Sequence, residues 1–168
     1  IPMLIVAIAV RLSSKGPALF WSNRIGQYNE IFQMPKFRSM QMETPTIATH
    51  LMTNAENYHT PIGKFLRQTS LDELPQLLCI LKGDMSFVGP RPALFNQKDL
   101  ISLREENGVD KLLPGVTGWA QVNGRDNLSI DDKVVMDTHY LHNQSFWFDL
   151  KIIWKTFVKV LMRVNVSH

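Results

Sequence analysis

Ser70-Leu71-Asp72-Glu73-Leu74-Pro75-Gln76-Leu77-Leu78-Cys79-Ile80-Leu81-Lys82-Gly83 is the stretch around which the rest of this 168-residue chain is read. Two adjacent acids precede an apolar run, and a glycine follows it. The pattern predicts a helix that begins at Ser70–Glu73 and is stopped by Gly83. Ser70-x-x-Glu73 has the spacing of a capping box, in which both side chains satisfy exposed amides of the first turn. Asp72 would then be a first-turn acid that favours the helix dipole. On spacing alone this structural account is the favoured one. Cys79 is the single cysteine, so no disulfide within the chain and no CxxC zinc pair can form. It reads as a small buried side chain in a reducing compartment.

Upstream, Ala18 to Ile25 is rich in β-formers, Gly26-Gln27-Tyr28-Asn29-Glu30 suits a turn, and Ile31 to Phe37 a returning strand. Gln41 to His59 lacks a period and reads as irregular. Thr60-Pro61 offers an N-cap and a first-position proline for a short helix through Arg67. Downstream, Gly89-Pro90-Arg91-Pro92 is a rigid extended loop. Asn96 to Asn107 is a polar helix ended by Gly108, a loop runs from Leu113-Pro114-Gly115 to Gly124-Arg125, and Ile130 to His142 is helical. The expected fold class is α+β: a compact, helix-rich single domain.

Each end allows a membrane reading beside a soluble one. Ile1 to Val10 is apolar before Arg11, but it falls short of the roughly 20 residues that span a bilayer. A core helix and a membrane segment fit this run equally, and Pro2 adds a break or kink. From Phe146 to Val166, Lys151, Lys155, Lys159 and Arg163 recur every four residues beside Trp147, Trp154, Phe157 and Leu161. Such a helix suits either a membrane interface or a solvated amphipathic surface, and the apolar N-terminus tips the reading toward the membrane.

A net charge of +3 points to anionic partners without choosing among them. The chain contains no GxxxxGKS/T phosphate loop, no HExxH and no GxSxG. His139-x-x-His142 has no third ligand nearby in sequence and reads as surface or core histidines rather than a metal site. Asp72-Glu73 has a chemical alternative to capping. Arg67, Arg91, Lys36, Arg38 and Arg125 lie in flanking helices, loops and strand ends, and guanidinium groups hold phosphate oxygens in bidentate fashion. A carboxylate among them could bind Mg²⁺ or attack phosphorus. Taken alone, the residues allow phosphoryl transfer as an alternative to the capping account and go no further.

Four ordered stretches resemble the bacterial sugar transferase family, the monotopic phosphoglycosyl transferases. They are Lys36-Phe37-Arg38-Ser39-Met40; Arg67 with Ser70 to Gln76; Leu81 to Pro92, ending Val88-Gly89-Pro90-Arg91-Pro92; and Pro114 to Arg125. Ser145 to Ile152, which includes Asp149, is similar as well. The resemblance implies a catalytic domain over residues 16–168 and, at 1–15, the remnant of a re-entrant membrane helix. The entering half of that helix would precede Ile1, and Pro2 would match its Ser-Pro break, with Ile1 where serine is usual. It implies transfer of a sugar 1-phosphate from a UDP-sugar to undecaprenyl phosphate with Mg²⁺, releasing UMP, at the cytoplasmic face of the bacterial inner membrane. Asp72 would be the nucleophile and metal ligand, and Glu73 its partner. Arg67, Arg91, Arg125, Lys36 and Arg38 would contact phosphate or nucleotide, and membrane lipids would be further partners. The step would open capsule, O-antigen, exopolysaccharide or glycoprotein assembly. Direct transfer without a covalent intermediate, a silent membrane scaffold and a basic nucleic-acid-binding module are the alternatives. Dispersed arginines and the lack of a known binding motif disfavour the last, so no nucleic-acid partner is expected.

Overall fold

The computed structural model describes residues 1–42, 44, 58–124 and 127–162. Strands β1 (Leu19–Ile25) and β2 (Ile31–Phe37) form the expected hairpin, paired antiparallel from Leu19↔Phe37 to Ile25↔Ile31. The connection is a tight 3-10 turn at Gln27–Asn29, where Tyr28 and Asn29 adopt φ of 54° and 61°. Residues directly opposite one another share a face of the ribbon. Ser22, Arg24 and Lys36 therefore project to one side, because Lys36 pairs with Phe20 and strand side chains alternate.

The apolar N-terminus is a helix, α1 (Pro2–Ser13), that docks by one face. Val6 and Val10 pack with Phe37 of β2 and with Leu66 of α2 (Gly63–Gln68), and Leu71 and Leu74 border the cluster. Leu4, Ile5, Ile8 and Leu12 on the remaining faces are exposed. No helix among the described residues is long and apolar enough to cross a membrane. Helix α2 starts later than the Thr60-Pro61 pattern predicts. The Thr60 hydroxyl and amide both donate to the Ser39 carbonyl, at 3.4 and 3.0 Å, which ties Thr60 to the exit of the hairpin.

A larger departure occurs at Ser70–Gln76. Leu71–Gln76 forms a 3-10 turn, and the α-helix α3 spans Leu77–Lys82 only. Ser70 lies in the left-handed region (φ 55°) and its side chain caps nothing. The capping box is thus not formed. Pro75 explains this: it has no N–H to return to the Leu71 carbonyl, and its ring would clash there in an α-helix. Gly83 ends α3 as expected, with φ 88°.

Strands β3 (Ser86–Val88) and β4 (Gly115–Thr117) pair in parallel. Beside them Gly89, Gly115 and Gly118 bring backbones so close that a Cβ on Gly115 would strike the Gly89 amide, and one on Gly118 the Gly89 carbonyl. Glycine here permits close approach, which anchors the base of the Gly89–Pro92 loop. Helices α4 (Lys98–Glu106), α5 (Trp119–Asn123), α6 (Ile130–Asn143) and α7 (Phe146–Met162) complete the chain. Ser129 caps α6, accepting from the Asp132 amide at 3.0 Å. Val88, Val122, Tyr140 and the wholly buried Ile152 join β3, α5, α6 and α7. Cys79 is buried with Met34 and Met85, as its apolar surroundings predict. The architecture is α+β and dominated by helix, as read from the sequence.

Lys151 and Lys155 share one face of helix α7, as their four-residue interval predicts, and that face meets the domain. Lys151 and Lys155 lie over the Trp119 ring, at 5.8 and 4.6 Å from its centroid. These are cation–π contacts with the domain itself. Trp147, Leu150, Trp154, Phe157 and Leu161 form an exposed apolar face at alternating three- and four-residue spacing. Arg163 and the rest of the stretch to Val166 lie outside the described residues, as does most of the Gln41–His59 segment.

Candidate active site

The Leu71–Gln76 turn packs against β2, and this places the acidic pair. Asp72 is buried, 7% exposed, and Glu73 is nearly so. Lys36 Nζ lies 2.8 Å from Glu73 Oε1, and Arg91 Nη2 lies 3.3 Å from the same oxygen. Glu73, assigned by spacing to a cap, is instead the ion-pair partner of two cations that arrive from different elements. Arg67 on α2 donates from Nε to Ser39 Oγ at 3.1 Å, and its charge acts on Asp72. The turn, β2, α2 and the Gly89–Pro92 loop thus bring together Asp72, Glu73, Lys36, Arg67 and Arg91.

Burial governs the electrostatics. Desolvation pushes the Asp72 carboxyl above its ordinary range, and adjacent Glu73 adds to this; Lys36, Arg67 and Arg91 oppose it without reversing it. Lys36 is lowered, chiefly by burial, against the pull of Glu73. The hairpin face adds a residue that the sequence reading overlooked, Arg24. Its Nε donates to Ser22 Oγ and its Nη1 to the Pro92 carbonyl, both at 3.1 Å. Burial first, then the charge of Arg91, lowers its guanidinium to about 10. The signal was available in the two-residue alternation that aligns Arg24 with Lys36.

The other predicted residues are placed elsewhere or not described. Arg38 is buried and donates to the Ser14 carbonyl (2.8 Å), Ser14 Oγ (2.9 Å) and the Lys15 carbonyl. Its guanidinium fastens the end of α1 to the hairpin. Arg125 lies outside the described residues. Asp149 accepts a 2.8 Å bond from the Tyr140 hydroxyl. His139 packs between Trp119 and Phe148. Among the described residues no three His, Cys, Asp or Glu side chains are grouped to hold a metal ion. A divalent cation here would rest on Asp72 and on ligand oxygens. That donor set fits Mg²⁺, which is commonly bound by one or two carboxylates together with substrate phosphates.

Paired carboxylates ringed by ammonium and guanidinium groups are an arrangement able to engage phosphate oxygens and a divalent cation. The chain belongs to the bacterial sugar transferase family, whose sequence pattern it matches over residues 1–163. It is 42% identical over 162 residues to the UDP-glucose:undecaprenyl-phosphate glucose-1-phosphate transferase of Escherichia coli K12, covering 92% of this chain and 35% of that protein. It is 38% identical to the undecaprenyl-phosphate galactose phosphotransferase of Salmonella typhimurium, covering 91% and 35%. Against the uncharacterized sugar transferase EpsL of Bacillus subtilis the identity is 39%, covering 99% and 81%. The chain therefore spans about a third of the length of the first two curated relatives and about four fifths of the third.

Proposed function

We propose that this chain transfers a sugar 1-phosphate from a UDP-sugar to undecaprenyl phosphate, releasing UMP, through an aspartyl intermediate on Asp72. The observation that carries the reading is the buried Asp72–Glu73 turn inside its ring of Lys36, Arg67 and Arg91, in a chain of this family. Glu73 is engaged by two cations, which suits an orienting role and leaves attack to Asp72. In the first step an Asp72 carboxylate oxygen bonds to the β-phosphorus, and the bond from that phosphorus to the bridging oxygen breaks, so UMP departs with the electron pair. In the second, an oxygen of undecaprenyl phosphate attacks the same phosphorus, and the bond to Asp72 breaks, restoring the carboxylate. Splitting one displacement into two lowers each barrier. Arg67 and Arg91 hold and neutralise phosphoryl oxygens, most strongly as charge gathers around phosphorus. Mg²⁺ held by Asp72 with diphosphate oxygens would supply further charge neutralisation.

Exposed apolar surfaces support a site of action at a membrane. Trp147, Leu150, Trp154, Phe157 and Leu161 on α7, with the open faces of α1, suit a helix-lined contact with the cytoplasmic leaflet of the bacterial inner membrane. The step would open assembly of a surface polysaccharide. Trp147→Gln with Trp154→Gln is expected to cut flotation with anionic vesicles severalfold while leaving the melting temperature near that of the parent. Flotation unchanged in that variant would remove α7 as a membrane contact.

The decisive assay is UMP release from a panel of UDP-sugars with Mg²⁺ and undecaprenyl phosphate in nanodiscs, across pH. Release from one sugar would identify the donor, and silence with every sugar would overturn the reading. Attack requires the carboxylate, and Asp72 protonates above the ordinary range. The rate of UMP release should therefore fall on the acid side at a pH above that of a solvated aspartate. An acid limb at the solvated value would argue that another group titrates.

A further inference from the structure

The Gly89–Pro92 loop presents Arg91 to Glu73, and its backbone is gripped from three directions. Pro90 carbonyl accepts from the Gly115 amide at 2.9 Å, and the Gly89 amide donates to the Thr117 carbonyl at 2.9 Å. Arg91 carbonyl accepts from Arg104 Nη1 at 2.9 Å, and Pro92 carbonyl from Arg24 Nη1 at 3.1 Å. Successive carbonyls are thus held by β4, by α4 and by β1, while prolines at 90 and 92 fix φ on either side of Arg91.

Arg104 is itself locked in place. Its Nε and Nη2 donate to Asp137 Oδ2 of α6 at 3.1 and 2.7 Å, and Asp137 is 1% exposed. One edge of the guanidinium grips the carboxylate and the other reaches the loop carbonyl. Lysine has no second edge with which to do both. The clamp has work to do, because Arg91 lies within the electrostatic reach of two like charges, Arg24 and Lys36, that repel its guanidinium.

We propose that Arg104, anchored on Asp137, and Arg24 are positioning residues that act through Arg91, holding its guanidinium on the acidic pair for phosphoryl transfer. The proposal rests on the transferase reading above. Neither residue needs to touch the substrate; each holds the backbone from which Arg91 reaches it. A displacement of about 1 Å in such a group costs on the order of 100-fold in rate.

The test is a double-mutant cycle in the full chain in nanodiscs, read as UMP release. Arg104→Lys keeps a cation on Asp137 and is expected to fold; should it fail to fold, Arg24→Lys tests the other grip in the same cycle. The expected result is a ~10–100-fold fall in kcat with KM for the UDP-sugar changed by less than ~3-fold, since the lost alignment matters most in the transition state. In an Arg91→Ala background the same substitution should cost less than ~2-fold, because the group it positions is gone. Equal cost in both backgrounds, or no cost in either, overturns the proposal. Should the parent protein release no UMP, the transferase reading fails by itself and the clamp is still tested by amide exchange. Arg104→Lys should then speed exchange at Gly89, Ile25 and Gly115 by about tenfold or more, and unchanged exchange overturns the clamp.

Discussion

Asp72→Asn should abolish UMP release, by ~1,000-fold or more, while the protein stays as stable as its parent or becomes more so. The two halves of this result have one cause. Asp72 is buried, and burial raises its carboxyl above the ordinary range in spite of three nearby cations. A carboxyl that protonates more readily in the folded than in the unfolded chain draws its stability from low pH. That contribution is lost as pH rises from the unfolded value through the raised folded one. Asparagine mimics the protonated form, so the variant escapes that loss at neutral pH and its stability profile flattens above the carboxylate range. Thermal melts at several pH values beside UMP release would check both. A variant that melts well below the parent would assign Asp72 a structural role, and one that still releases UMP would dismiss it as the nucleophile.

The second large effect is on stability. Glu73→Gln leaves Lys36 and Arg91 facing a neutral amide where a carboxylate stood at 2.8 and 3.3 Å. Breaking a fully buried pair costs ~3–5 kcal/mol; here the side chains of Glu73, Lys36 and Arg91 keep 12%, 17% and 32% of their exposure, so about 2–3 kcal/mol is expected. Lys36→Met added to Glu73→Gln should restore much of that, since it removes the stranded charge. Lys36 is already lowered by burial, with Glu73 working against the shift. Without Glu73 it falls further, and the stability deficit shrinks as pH rises through the lowered lysine value toward the unfolded one. Urea denaturation of the two variants near neutral pH and at alkaline pH measures both effects. A single variant as stable as the parent would mean that the pair contributes nothing net.

Much of the local structure was legible because its causes are local. Leu19–Ile25 is a strand by its β-formers, and Gly83 and Gly108 take the positive φ that ends helices. Asp72, Glu73, Arg67, Arg91 and Lys36 were also named from sequence, and they come together in space. Roles were harder to read. Ser70-x-x-Glu73 has the spacing of a cap, yet Pro75 turns the segment into a 3-10 turn and sends Glu73 to Lys36 and Arg91. Thr60 has the look of an N-cap but binds the Ser39 carbonyl. Arg38 stands two residues from Lys36 in sequence, and its guanidinium goes to Ser14 and Lys15 instead.

By itself the sequence determined the family, the β1–β2 hairpin, helices α4, α6 and α7 and the identity of the acidic pair, because motifs, turn residues and hydrophobic period act over a few positions. It missed the 3-10 turn at Leu71–Gln76 and placed β4 and α5 in a loop. Tertiary structure alone decided which cation meets which carboxylate. It set Lys36 rather than Arg38 on Glu73, brought Arg24 to the Pro92 carbonyl, and folded Lys151 and Lys155 onto Trp119. The physical reason is that Coulombic and hydrogen-bond partners are chosen by distance in space and by burial, and neither is encoded in spacing along the chain.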